Sequence, residues 1–134
     1  IEIHGNRNKF RCIECGWRKN RKKNKITKIP DPCSICGSMM KFDSVMFGEP
    51  IPRDVLKSSR EAIDYADCVI SIGTSSTVRP AAGLFWIAKS QKAKLIEINT
   101  SPTKLTKVCD VVIKGSTSEI LPRLFKEIKT TEMV

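Results

Sequence analysis

Two Cys-x-x-Cys pairs, Cys12-Ile13-Glu14-Cys15 and Cys33-Ser34-Ile35-Cys36, stand seventeen residues apart. Thiol pairs at that spacing can converge on one tetrahedral metal, and the duplicated pattern reads as a four-thiolate zinc site. Gly16 and Gly37 directly follow the second cysteine of each pair, where the chain has to turn back sharply. A disulfide pair in a secreted protein and a redox dithiol are the rival readings, and a metal assay separates them. The text around the pairs is too poor in apolar residues to hold itself folded by burial, so a bound ion would supply the missing stability. It reads as a small zinc-ribbon module with no amphipathic helix or long strand between Phe10 and Met40.

The remaining length, out of 134 residues, suffices for about one ordinary core. The formal net charge of +10 is unevenly placed: residues 9–41 hold ten basic and two acidic side chains. Such a lobe could attract nucleic acid or an acidic protein partner, or be a solvated lysine-rich surface. Cys68 and Cys109 sit singly in apolar stretches; with a thiolate metal site they favour a reducing, intracellular and cytoplasmic setting. Nothing is long and apolar enough to span a bilayer, so no membrane association is expected. The chain opens on Ile1 without an initiator methionine and reads as a piece of something longer.

Along the chain, Ile1–Ile3 alternates like the end of a strand, with His4-Gly5-Asn6 as the turn after it. Past Lys41 the pattern becomes α/β. Pro52–Ala66 has helical spacing, with Pro52 suited to a first turn. Asp67–Ile72 is a nearly continuous apolar run, the mark of a strand covered on both faces. A helix over Pro80–Gln91, strands over Lys94–Asn99 and Val108–Ile113, and a closing helix from Ser118 to about Lys129 complete the series. Strand, helix, strand at these lengths implies parallel pairing with crossover helices. Parallel sheets of this kind bind ligands beyond the carboxyl ends of their strands. Those ends carry Gly73-Thr74-Ser75, Asn99 and Gly115-Ser116, small or amide side chains suited to a ribose or an adenine. The Gly-x-Gly-x-x-Gly fingerprint that cradles a pyrophosphate is absent from the sequence.

The order of landmarks closely resembles the sirtuins, NAD-dependent protein lysine deacylases. The matching text is Ile1-Glu2-Ile3-His4-Gly5-Asn6, the two cysteine knuckles, and Asp43-Ser44-Val45-Met46-Phe47-Gly48-Glu49-Pro50. It continues with Ile72-Gly73-Thr74-Ser75, Val78-Arg79-Pro80-Ala81-Ala82, Ile96-Glu97-Ile98-Asn99 and Glu119-Ile120-Leu121-Pro122, so that the resemblance spans residues 1 to about 128. It implies the C-terminal portion of a Rossmann-like parallel sheet with helices on both faces, plus a structural zinc module. The expected division is 1–8 for the catalytic-histidine segment, 9–41 for the zinc module and 42–134 for the nucleotide-binding part.

The implied reaction removes an acyl group, acetyl being the expected one, from a protein lysine. The acyl oxygen attacks the nicotinamide ribose of NAD, releasing nicotinamide and finally O-acyl-ADP-ribose. His4 matches the catalytic base that deprotonates a ribose hydroxyl, a task suited to an imidazole titrating near neutral pH. Val45, Met46, Phe47, Gly48 and Glu49, with Val78, match the loops that hold the acyl-lysine peptide as an added strand. Read without the resemblance, Phe47 would be core packing. Gly73, Thr74, Ser75 and Asn99 match positions around the adenosine half of NAD, and Ser116 one near the adenine. Cys12, Cys15, Cys33 and Cys36 match the closed zinc shell. The family's Gly-Ala-Gly-x-Ser loop and Asn-x-Asp motif, which precede the catalytic histidine, are not in this sequence, so the isolated chain is expected to be inactive. Arg79 and Ser44 depart from the family's usual residues and could tune peptide preference. A zinc-ribbon nucleic-acid-binding module and mono-ADP-ribosyl transfer on the same scaffold are the alternatives.

Overall fold

A computed structural model describes residues 1–21 and 31–131. The latter part of the basic run, Lys22 to Lys25, and Ile29-Pro30 lie outside the described residues. The chain divides into two compact units, Ile1–Ser58 and Ser59–Val134, the boundary falling inside the first helix.

The first unit is built on three antiparallel strands, β1 (Gly5–Cys12), β2 (Arg18–Asn20) and β3 (Met40–Ser44), in the order β2-β1-β3. Side chains alternate across a sheet, and the register sorts them sharply. Phe10 faces Lys19 and Phe42, and Cys12 faces Met40, on one side; Arg11 faces Arg18 and Lys41 on the other. The first side closes over a small core of Cys12, Cys33 and Met40, with Phe10 and Trp17 against it. Gly5 is demanded by two constraints at once. Its φ is +74°, and a Cβ there would lie 1.8 Å from the Asp43 carbonyl oxygen.

One expectation is corrected in this unit. Ile1–Ile3 is not a strand end: the strand begins at Gly5, and His4 stands in the turn that enters the sheet instead of leaving it. The glycine's close approach to β3 is what allows pairing to start there. Most of the eight-residue β1 precedes the cysteine region, which it enters only with Phe10–Cys12. Its polar text, Asn-Arg-Asn-Lys, concealed it because one face carries charges that are paired by other charges.

The second unit has parallel strands β4 (Cys68–Ile72), β5 (Lys94–Asn99) and β6 (Val111–Lys114), in that spatial order. Helix α1 (Arg53–Asp64) leads into it, α2 (Ala81–Ser90) joins β4 to β5, and α3 (Thr117–Thr131) follows β6. This is the expected α/β arrangement. Leu95 and Ile98 on the central strand are fully buried, and Ala88, Ala93 and Leu95 form the core with Ile63, Val69 and Phe85 packed on it. The expectation that Asp67–Ile72 is covered on both faces is corrected: Ile70 and Ile72 remain 44% and 40% exposed on the edge strand. The third strand starts later than its apolar text implied. The Val108 and Cys109 amides donate to the Leu105 carbonyl in a turn, and Asp110 then locks onto β5, its carboxylate accepting the Leu95 amide at 2.8 Å. No helix among the described residues is long and apolar enough to cross a membrane.

Candidate metal centre and ligand-binding loops

The four cysteine sulfurs of the knuckles lie within 4.8 Å of one another. Cys12 and Cys36 approach to 3.4 Å and Cys15 and Cys33 to 3.6 Å. A tetrahedron with zinc–sulfur bonds of about 2.3 Å has sulfurs about 3.8 Å apart, so the donor set and its spacing fit one zinc ion. Gly16 and Gly37 adopt φ of +73° and +74° at the expected positions. Backbone bonds frame each knuckle: the Cys12 amide donates to the Trp17 carbonyl, the Cys33 amide to the Ser38 carbonyl, and the Ile13 amide to the Met39 carbonyl. The last ties one knuckle to the other. None of the six cysteines is in a disulfide. Within the cluster the protons are shared unequally. Hydrogen bonding from the Ser38 backbone, then from Cys12, draws the Cys36 thiol down to about 6. For Cys15 the Trp17 amide pulls the same way but is outweighed by burial and the neighbouring sulfurs, which push it up to about 12.

His4 is exposed, and its backbone carbonyl accepts the Val45 amide at 2.9 Å. The structure thus places the histidine turn directly beside the 45–49 loop. That loop is a tight turn closed by the Glu49 amide donating to the Met46 carbonyl, with Gly48 at φ +82°. Phe47 is 96% exposed and Met46 64%. Core packing is therefore not what holds Phe47. The loop is held from beneath by Glu49, whose carboxylate accepts hydrogen bonds from Lys41, from Arg11 at 2.8 Å and from the Met46 amide at 3.1 Å. The Lys41 ammonium first, then the Met46 amide and the Arg11 guanidinium, hold this carboxyl below its ordinary range. Asp43, nearly buried, receives Arg11 at 3.1 Å and Arg18 at 2.9 Å, and Arg18 continues to Asp54 at 3.0 Å.

Sequence reading missed this network, in which Arg11, Arg18 and Lys41 are joined through Asp43, Glu49 and Asp54. The available signal was the pairing of basic residues next to both cysteine pairs with the lone acids Asp43 and Glu49.

In the second unit the three strand ends come together through main-chain and amide bonds. The Gly73 amide donates to the Ile98 carbonyl, Asn99 Nδ2 donates to the Thr74 carbonyl at 2.8 Å, and the Gly115 amide donates to the Asn99 carbonyl. Gly73 (φ +59°) lies under α3, where a Cβ would meet Thr117 Oγ1 at 3.6 Å. Ser75 is exposed and shares a hydrogen bond with Thr77. The Ser116 carbonyl accepts the Glu119 and Ile120 amides at the start of α3, its hydroxyl 2.8 Å from that of Ser118. Gly73, Thr74, Asn99 and Ser116 therefore cluster at one sheet edge, while Val78 is half exposed at the entry to α2. A second unforeseen feature is Glu97, buried mid-strand and bonded to the Thr103 and Thr106 hydroxyls, which pins the 103–106 turn over the end of β5. An acid at the centre of an apolar strand with threonines six and nine residues on was its signal.

Comparison with known proteins gives this arrangement its family. Residues 1–80 match the Sir2 family, and the chain belongs to it. An NAD-dependent protein deacylase of Thermococcus kodakarensis is 36% identical over 136 residues, covering 96% of this chain and 52% of that protein. Among solved structures, a Sir2 homologue–NAD complex superposes with a TM-score of 0.84 at 34% identity, covering 98% of this chain and 51% of the other. A Sir2–p53 peptide–NAD+ complex gives 0.77 at 28% identity, covering 97% and 55%. The chain spans about half the length of the curated relatives it matches.

Proposed function

We propose that this chain supplies the zinc-binding, catalytic-histidine and adenosine-binding portion of an NAD-dependent protein lysine deacylase. The observation that carries the reading is the 2.9 Å bond from the Val45 amide to the His4 carbonyl. It sets the one histidine of the chain against the apolar 45–49 loop, in a family whose relatives are named NAD-dependent deacylases. NAD is the co-substrate, and its ribose becomes the acceptor of the acyl group. His4 takes the proton from a ribose hydroxyl and returns it later. Exposed Phe47 and Met46, with Val45, line the passage for the acyl-lysine, acetyl being the preferred group. The Gly48-Glu49 turn receives the peptide as an added strand, the Val78 segment is a further peptide-binding element, and one Sir2 relative has been solved with a p53 peptide and NAD+. Gly73, Thr74, Ser75, Asn99 and Ser116 hold the adenosine.

Cys12, Cys15, Cys33 and Cys36 hold one zinc ion whose role is structural, because four protein thiolates leave no open position for water or substrate. Residues 1–8, 9–41 and 42–134 divide these tasks in turn. The overall change consumes acyl-lysine, NAD and one water, breaks the nicotinamide–ribose bond and the lysine amide bond, and yields free lysine, nicotinamide and O-acyl-ADP-ribose. Free thiols and a thiolate metal site suit the cytoplasm.

The test joins this chain to an N-terminal segment carrying a Gly-Ala-Gly-x-Ser loop and measures NAD-dependent release of acetyl from lysine peptides. Activity should appear in the joined protein, be absent from the isolated chain, and fall by at least about a hundredfold in His4→Ala. Undiminished turnover by His4→Ala would remove the histidine from the chemistry. Peptide binding without turnover in the joined protein would refute the deacylase reading itself.

A further inference from the structure

The antiparallel sheet of the first unit distributes its charges unevenly between its two faces. Lys9, Arg11, Arg18 and Lys41 share one face by register, and every one of them is paired, with Glu2, Asp43, Glu49 or Asp54. The opposite face has no such neutralisation: among the described residues neither Lys19 nor Arg21 forms an ion pair. Between them lies an aromatic pair. Phe10 and Phe42 stack at 5.1 Å between centroids and 26° between planes, Phe42 is 40% exposed, and the Arg21 guanidinium sits 5.6 Å from the Phe42 centroid. A half-exposed ring at the margin of the core face, stacked on a second ring and bordered by unpaired cations, is the kind of surface that single-stranded polynucleotides stack on and neutralise.

We propose that the Phe10–Phe42 face of the zinc-module sheet, with Lys19 and Arg21, binds single-stranded nucleic acid. A base takes the place of the Arg21 guanidinium over Phe42, or stacks upon it, and Arg21 and Lys19 then meet the adjoining phosphates. The favoured partner is a polynucleotide and not an acidic protein segment, because a carboxylate-rich peptide would use the cations and leave the stacked rings without a partner. Charge complementarity comes from Lys19 and Arg21, the cations of this face among the described residues. The proposal does not depend on the deacylase reading and can fail without it.

The test is fluorescence anisotropy of the zinc-loaded protein with labelled oligothymidylate and oligouridylate of about 12 nucleotides, across a salt series. Phe42→Leu keeps an apolar side chain against Phe10 but removes the π-face, and should weaken binding about tenfold. Lys19→Gln with Arg21→Gln should lower the slope of log affinity against log salt by about 1.4, since each phosphate contact contributes roughly 0.7 on a single strand. Zinc content and amide-exchange protection of β1 and β3 report that each variant is folded. Equal affinity for thymidylate and uridylate means recognition through stacking and phosphate, as proposed; a preference for one adds a contact to the 2′-hydroxyl or to the thymine methyl at the same site. Unchanged affinity in folded Phe42→Leu would overturn the proposal, as would a salt slope untouched by the double substitution. Displacement of the oligonucleotide by poly-glutamate of equal charge would assign the face to an acidic protein and refute base stacking, and no binding at low salt would remove the site altogether.

Discussion

Each unit of this molecule rests on a sheet of three strands, yet the two sheets are closed by different physics. The β4-β5-β6 sheet buries Leu95 and Ile98 completely, on opposite faces of β5, with α2 packed over Leu95, so the hydrophobic effect acts where the chain is apolar. The β2-β1-β3 sheet has a core of three side chains, two of them cysteines, and its other face is a lattice of ion pairs. A sheet with so little apolar burial is left dependent on directional interactions, and the metal fit of its four sulfurs is the strongest of them. The comparison predicts that the units fail separately, for different causes and by different amounts.

The largest separation should come from the metal. The isolated protein should carry one zinc per chain by elemental analysis. Chelation, or Cys33→Ser at a buried ligand, should abolish amide protection in β1 and β3 while that of β5 persists, since structural zinc contributes on the order of 10 kcal/mol to folding of such modules. A metal-free protein with β1 still protected would show that the ion pairs suffice, and the contrast between the units would collapse.

The reciprocal experiment is Leu95→Ala. Leu95 is fully buried between Val69 and the α2 side chains, so its truncation should cost about 4 kcal/mol through lost transfer energy and the cavity left behind. Denaturation followed by amide exchange should show β4 to β6 losing protection at lower urea, with zinc stoichiometry unchanged. Loss of zinc in this variant would mean that the two closures are coupled.

Asp43→Asn probes the ion-pair lattice without touching a metal ligand. One carboxylate, 7% exposed, serves both Arg11 and Arg18, and removing its charge leaves two half-buried guanidinium groups undercompensated. The expected loss is about 3 kcal/mol in the first unit, read as a lower melting transition of β1 and β3 with zinc bound. A variant as stable as the parent would mean that these pairs contribute nothing beyond their desolvation cost.

How much of this was legible depended on which interaction writes a pattern into the chain. The knuckles were readable because thiol spacing and the two glycines are local. Lys94–Asn99 was readable because a central strand between helices must be apolar, and it appears with the same limits in the structure. The clustering of Gly73, Thr74, Asn99 and Ser116 followed from topology, since parallel strands bring their carboxyl ends to one edge. Strand β1 was not readable: within Gly5–Cys12, Arg11 is satisfied by Asp43 and Glu49, more than thirty positions away, and Asn6 and Lys9 by Glu2 outside the strand. A strand stabilised by distant charges has no hydrophobic period to reveal it. For the same reason the exposure of Phe47 could not be inferred, because the turn that presents it is anchored by the side chain of Glu49 and not by its own apolar residues.

That anchor gives the smallest and most specific of these effects. Glu49 is held ionised below its ordinary range by Lys41, the Met46 amide and Arg11. A carboxylate with a depressed folded-state pKa contributes stability above its unfolded value, near 4.3, and that contribution is lost as pH falls through the lower folded value. Glu49→Gln should therefore destabilise the 45–49 turn by about 1.5 kcal/mol at pH 7, raising exchange at the Met46 and Glu49 amides. The difference between parent and variant should shrink below about pH 4, as the parent's own carboxylate becomes protonated. Because thiolate protonation releases the ion, zinc content is followed in parallel and the two proteins are compared only where it stays at one per chain. A difference that stays constant while pH falls below about 4 with zinc still bound would show that Glu49 holds the turn by shape alone, with its charge playing no part in presenting Phe47.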